Sequence, residues 1–365
     1  MSTYAELASL PLVVESYELA GLEQDVSSNF RRRTTVVTLH GAGETGVGED
    51  VTYDGDEQVR QQSAGPVLDL AGTHTLDSFS ELTGSLGLFP GAPEEAAQRF
   101  GPYRRWAFES AALDLALRQA GSSLADALGR EARPVRFVVS TRLADPPSTE
   151  RLLRLRVEHP ETRFKLDPTS AWNEAFVEEL AALDAVDTVD LKGAYKGTIV
   201  DQPADPDLYR LVAAGLPTAW IEDPDLTSPE ADEALQPFRA RVSWDAVIHS
   251  VADIEGLPFR PGAINVKPSR FGSVRELLAA YDHCAAHGIP VYGGGQFELG
   301  PGRGQIQYLA SLFHPRAPND VAPSGYNDPS PAPGLPSSPL APEPDETGFR
   351  WARGELPNSV PGHTV

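Results

Sequence analysis

TAWIEDPD, residues 218–225, is a short apolar run that stops on two acids and a proline. A run this short, bounded in this way, reads as a buried strand rather than a helix. The same pattern recurs along the chain in VRFVVS (135–140), TRFKLD (162–167), DTVDLK (187–192), RVSWD (241–245), AINVK (263–267) and IPVYGG (289–294). Between these runs lie helical stretches such as NEAFVEELAALD (173–184), PDLYRLVAAG (206–215), SPEADEALQPFRA (228–240) and SVRELLAAYDHCAAHG (273–288). Seven strand–helix repeats predict an α/β parallel barrel. An open doubly wound sheet is the alternative, because strand order is not written in the repeats.

In a parallel βα barrel, functional side chains sit at the C-terminal ends of the strands, on alternate, inward-pointing positions. Those ends carry Lys165 and Asp167, Asp190 and Lys192, then Glu222, Asp245 and Lys267. From Lys165 through Asp190, Glu222 and Asp245 to Lys267 the steps are 25, 32, 23 and 22 residues, each the length of one βα unit. Of 30 basic residues only four are lysine, at 165, 192, 196 and 267, and three of the four fall on strand ends. Arginine stays protonated at working pH, whereas a buried lysine can be tuned to act as a base.

Asp190, Glu222 and Asp245 are expected to converge from three consecutive strands. Three crowded carboxylates cannot all stay ionised without a compensating cation. An all-oxygen set favours a hard dication, Mg²⁺ or Mn²⁺ in its place. Taken singly, each acid would instead cap the helix after its strand. Lys267 faces this set and suits removal of a proton α to a carboxylate. The bland alternative for Lys267 is an ion pair with a neighbouring acid.

Composition bounds the partners. A formal charge of −22 argues against nucleic acid, whose binding is driven by counterions displaced around Lys and Arg. No apolar run approaches the roughly 20 residues of a membrane span. One cysteine, Cys284, excludes an internal disulfide framework and a cysteine-rich zinc site. The opening MSTYAELASLPLVVE lacks the basic start and apolar stretch of a secretory signal, so a cytoplasmic protein is expected.

Residues 1–130 read as a mixed α+β domain, with strands over 11–18 and 34–39 and an amphipathic helix over 103–119 that turns Trp106, Leu113 and Leu117 to a core. Within it, VVTLHGAGETGVGED (36–50) places Gly41, Gly43 and Gly46 in the spacing G-x-G-x-x-G. A dinucleotide loop must open a helix onto the pyrophosphate. VGEDVTYDGDEQ (47–58) is instead rich in glycine, β-branched residues and acid, a poor helix start. A nicotinamide oxidoreductase is therefore a distant alternative, and a mobile loop after a strand is expected. PSPAPGLPSSPLAPEP (329–344) reads as an extended connector. The aromatic GFRWARGELP after it suggests that the 329–365 segment returns to dock, on the first domain.

Together these pieces resemble the enolase superfamily, in its muconate-lactonizing-enzyme and o-succinylbenzoate-synthase-like branch. GVGEDVTY (46–53) looks like the G-x-G-E of the family's cap, and FESAALDLALRQAGSSLADALG (108–129) like the helix before its barrel. IEDP (221–224) looks like its fourth strand end and VKPSRFGS (266–273) like its sixth-strand lysine motif. The resemblance implies an N-terminal α+β capping domain over 1–130 and a modified TIM barrel, (β/α)7β, over 131–328. It implies Mg²⁺ on Asp190, Glu222 and Asp245, Lys267 as acid/base, a small-molecule carboxylate substrate and a homo-oligomer. Mobile cap loops near residues 21–33 and 41–55 would close over the site. Glu298 in FELGPGRG matches an acid near the seventh strand end. Arg31, with Arg32 and Arg33, would meet an anionic substrate tail, or else form a solvated charge run. The absence of a seventh-strand histidine sets the mandelate-racemase branch aside.

Two motifs depart from the family. Its K-x-K on strand two is Lys165-Leu166-Asp167 here, and its D-x-N on strand three is Asp190-Leu191-Lys192. Either the second amine has moved one strand over, with Asp167 holding Lys192 and two-base epimerisation retained, or that pair is only an ion pair. In the second case Lys267 works alone in an elimination, with Asp167 or Lys165 assisting. The missing second lysine puts dehydration or cycloisomerisation through an enediolate ahead of racemisation. The alternative outside catalysis is a barrel that binds metal and ligand without turnover.

Overall fold

The computed structural model describes residues 2–26, 30–198 and 200–351. Residues 27–29 of the expected cap loop and 352–365 of the tail lie outside the described residues.

The first domain is built on two antiparallel sheets. Strand β1 (Pro11–Val14) pairs with β5 (Gly72–Thr75), while β2 (Ser16–Val26), β3 (Phe30–Gly41) and β4 (Glu44–Asp50) form a three-stranded meander. The expectation of a mobile glycine loop is corrected here. Gly41 pairs with Glu44, and the two residues between them, Ala42 and Gly43, have φ of 50° and 78°. That is the left-handed pair a tight two-residue hairpin demands. Gly46 and Gly48 lie within β4, pressed under the helix Glu94–Gln119. A Cβ at either would come within 2.2 Å of the carbonyl oxygen of Ala111 or 2.0 Å of that of Ala107. These glycines let a strand and a helix touch backbone to backbone; they bind no pyrophosphate.

That helix also starts earlier than predicted. The expected helix begins at residue 103, just after Pro102, yet the helix runs unbroken from Glu94 with Pro102 inside it. Proline removes one helical hydrogen bond and crowds the preceding turn, but the 26-residue helix is anchored along its length by buried side chains from Phe100 to Leu117.

From β6 onward the expected rhythm appears. Seven parallel strands, β6 (Val138–Thr141), β7 (Arg163–Leu166), β8 (Val186–Asp190), β9 (Trp220–Glu222), β10 (Val242–Trp244), β11 (Ala263–Val266) and β12 (Val291–Gly293), lie side by side in chain order. Sequential order in one curled parallel sheet distinguishes a barrel from a doubly wound sheet, whose order reverses. Asn319 and Asp320 close the circle. Asp320 bridges in parallel to Gly294 beyond β12, and Asn319 to Phe137 before β6. The Asn319 side chain adds a bond from Gly293 N at 2.7 Å and is itself held by His314 Nδ1 at 2.6 Å.

The chain after the barrel runs back over the first domain. Leu340 exchanges backbone bonds with Val135. Further on, the buried carboxylate of Asp114, on the long helix, accepts from Phe349 N and Arg350 Nε, both at 2.7 Å, and from Val47 N at 2.9 Å. Among the described residues, no helix is long and apolar enough to cross a membrane.

Candidate active site

The strand ends converge as the repeat predicts. Parallel register sets Asp190 of β8 beside Glu222 of β9, and Glu222 beside Ser243, two residues before Asp245. Asp190, Glu222 and Asp245 are buried and each offers a carboxylate oxygen within 4.8 Å of the other two. Four cations surround them. The Lys165 amine bonds Glu222, sits 3.1 Å from Asp190 and 3.7 Å from Asp320. Lys192 Nζ lies 2.5 Å from Asp190 and 3.5 Å from Asp167. Lys267 Nζ and Arg270 Nη1 hold separate oxygens of Asp245, at 2.8 and 2.6 Å.

The electrostatics follow from burial against contact. Burial alone would raise the carboxyls of Asp190 and Asp245. The amines of Lys165 and Lys192 on the first, and Arg270 and Lys267 on the second, outweigh it and hold both well below the usual range. Glu222 goes the other way: burial raises it, the charges of Asp190 and Asp245 add to that, and Lys165 opposes them. Asp223, next in the chain, is raised to about 6 by burial and by Asp245, and its two oxygens accept from Asp245 N and Ala246 N at 2.8 Å each. Burial pulls the Lys267 amine down, but Asp245 outweighs it and holds the ammonium above the ordinary lysine range. An all-carboxylate set with one member short of compensation fits a hard dication: the three acids would be its ligands, and such a charge would supply what Glu222 lacks.

Among the described residues, three of the five non-glycine residues with positive φ stand here: Lys192 at 55°, Asp223 at 48° and Phe297 at 54°. Such strain is held only where the surroundings over-determine it, and it gathers at functional sites. Gly294 belongs to the same packing, since a Cβ there would sit 2.8 Å from Lys267 Cε.

Glu298 lies on the loop after β12, buried, its Oε1 accepting from Gln296 N at 2.6 Å and its Oε2 3.1 Å from Arg303. Arg31 does not turn inward. It is 56% exposed and paired with Glu23 and Asp25 on the β2–β3 ribbon. Arg32 is the buried one of the three, donating to the carbonyls of Val51, Thr52, Gln296 and Phe297 under the Tyr53 ring.

Several further side chains at the site stand outside the strand-end pattern of the sequence. Tyr292 and Asn265 both donate to Glu222. Both stand on barrel strands, Asn265 two residues before Lys267 and therefore on the same face. Arg270 follows Lys267 by three residues, one turn, within the legible VKPSR motif. Tyr195, bonded by Arg270 at 3.1 Å, comes from the long loop after β8, and Asp320 from a closing segment too short to read as a strand.

Two family models match the chain: residues 5–127 match the N-terminal domain, and 131–328 the C-terminal domain, of a family described as a domain of unknown function, DUF8230. The chain is 30% identical over 248 residues to an o-succinylbenzoate synthase of Geobacillus stearothermophilus, covering 64% of each. It is 30% identical over 236 residues to an N-succinylamino acid racemase of an Amycolatopsis species, covering 60% of each. The match thus spans under two thirds of those relatives' length. A dipeptide epimerase from Methylococcus capsulatus, solved in complex with an Mg ion, superposes with a TM-score of 0.62 at 18% identity, over 84% of this chain and 89% of that one. The fold is that of the enolase superfamily, as the strand-end motifs implied. The chain belongs to the DUF8230 family.

Proposed function

We propose that this DUF8230 chain, with its enolase-superfamily fold, is an enzyme that removes the proton α to a substrate carboxylate and eliminates a β-hydroxyl from the same molecule. The observation that carries this reading is the Lys267 amine, 2.8 Å from Asp245, itself one of three buried acids that meet. Bound to Asp190, Glu222 and Asp245, an Mg²⁺ ion would stabilise charge developing on the substrate carboxylate and draw the charge of Asp245 away from Lys267.

In its neutral form Lys267 would take the α-proton, and the C–H electrons would pass into the substrate carboxylate as an enediolate. Those electrons return to form the C=C bond as the β-C–O bond breaks. The same ammonium then protonates the departing hydroxide, so one base removes the elements of water from one face. Arg270 and Tyr195 orient Asp245 for Lys267, and Lys165, enclosed by acids, keeps the set together. Glu298, on the loop after β12, is assigned a substrate contact; Arg31, tied into its own ion pairs, is given none. A ring-closing cycloisomerisation would use the same first step. The relatives' names make succinylbenzoate precursors, and N-acylated amino acids that carry a β-hydroxyl, the first compounds to try.

The test is incubation of the Mg²⁺-supplemented protein with such acids in deuterium oxide. Loss of water together with exchange of the α-hydrogen, both reduced about 10³-fold or more in Lys267→Ala, is the expected result. Bound acids with no exchange at all would leave a metal- and ligand-binding barrel without turnover. Exchange with inversion at the α-carbon, and no loss of water, would favour epimerisation instead.

A further inference from the structure

Three of the four cations at the strand ends are seated within the cluster of acids. Lys165 is 2% exposed and enclosed by three carboxylates, while Lys267 and Arg270 share Asp245. Lys192 differs. Its amine reaches Asp190 at 2.5 Å and has Asp167 Oδ1 at 3.5 Å. That oxygen is shielded from solvent and has no hydrogen-bond partner among the described residues, so an acceptor stands ready beside the amine. A buried polar atom without a partner costs of the order of 1–3 kcal/mol and calls for a reason. The backbone of Lys192 is left-handed, which a lysine adopts only under constraint, and this holds the amine over the strand end.

Two positions made this arrangement. Lys192 stands two residues after Asp190, and Asp167 two residues after Lys165. A neutral side chain could not compete with a dication for Asp190; an ammonium must. Lys165 already shares Asp190 Oδ2 with Lys192, at 3.1 and 2.5 Å, and a dication on Asp190 would add a repulsion of about 1 kcal/mol or more to the ammonium beside it, even at high dielectric.

Resting on the reading that the triad takes a dication, we propose that Lys192 is the displaceable counterion of that site. Its amine neutralises Asp190 while no metal is bound and transfers to Asp167 when the metal takes Asp190. The four-carbon stem spans the small distance between the two acceptors without moving the backbone. Lys192 thereby sets how tightly the metal is held, and it does so from the metal side of the chemistry rather than as a second base.

Titration of Mn²⁺ into the metal-stripped full-length protein tests this by calorimetry. Lys192→Gln is expected to bind about tenfold tighter than wild type, and Asp167→Asn several-fold weaker because the amine then stays on Asp190. Combined with Lys192→Gln, Asp167→Asn should cost less than about twofold, since its effect acts through the amine. An equal cost in both backgrounds would mean simple through-space attraction and would overturn the exchange. A second readout uses wild type alone. With only four lysines in the chain, the side-chain ¹⁵N resonance of Lys192 is separable and should move on adding Mg²⁺. Should Lys192→Gln fail to fold, that resonance decides: a Lys192 signal that stays still while metal binds overturns the proposal. If wild type binds no divalent ion, the metal-dependent function falls with it. If wild type binds and Lys192→Gln binds no tighter, only the displacement falls.

Discussion

The cap and the barrel mouth both bury charge, but they dispose it differently. In the cap, Asp50 and Glu49 each have a single settled set of donors. Arg104 holds Asp50 at 2.7 Å and gives its remaining donors to the carbonyls of Leu88 and Glu57. Glu49 spends its carboxylate on the amides of Leu299, Gly300 and Gly302, at the start of the barrel helix Pro301–Phe313. At the mouth no such settlement exists: Asp190 is shared by Lys165 and Lys192, and Asp245 by Lys267 and Arg270. A closed pair has one arrangement and serves architecture. A shared cluster has several of similar energy, which is what binding and proton transfer require.

The comparison can be broken first in the cap. Arg104→Leu leaves the buried Asp50 without its cation, with only Thr52 N still bonded to it, and should cost about 3–5 kcal/mol in denaturant unfolding. Mn²⁺ affinity of the folded fraction should not change; a change would mean the cap pair belongs to the mouth after all.

The segment that closes the barrel is the second place to test, and pH reaches it. Burial lowers His314 from 6.5 to about 4, with its bond to Asn319 opposing. A histidine kept neutral by folding stabilises fully above the unfolded value. That stability drains away as pH falls from about 6.5 to 4, to a total of about 3 kcal/mol. Unfolding curves across that window should show the loss, and His314→Gln should flatten it. An unchanged slope in the variant would assign the acid sensitivity elsewhere.

The smallest expected effect is at Glu49→Gln. The amide keeps one acceptor oxygen for the three backbone donors, so about 1–2 kcal/mol should be lost. Amide hydrogen exchange at residues 299–302 should quicken, while the strands of the barrel keep their protection.

Much of this molecule is legible in its order of residues. The strands of the barrel and the residues at their ends can be read because each βα unit repeats its own apolar run, acid and helix within 22 to 32 residues. The glycines of 41–48 mislead because a hairpin turn and a strand pressed under a helix use the same residue as a loop. The start of the long helix misleads because Pro102 is tolerated only through packing that the sequence does not display. Arg270 is within reach of the same reading, one turn beyond Lys267, although the strand-end rule alone does not select it.

What the sequence determined by itself was which acids would stand together, because strand period and parallel register are local rules that carry residues 190, 222 and 245 to adjacent strand ends. What only the tertiary structure decided was which cation each acid would hold. Lysine and arginine side chains reach over several ångströms and choose partners by three-dimensional proximity, and nothing in the order of residues states that Lys192 would rest on Asp190 with Asp167 open beside it.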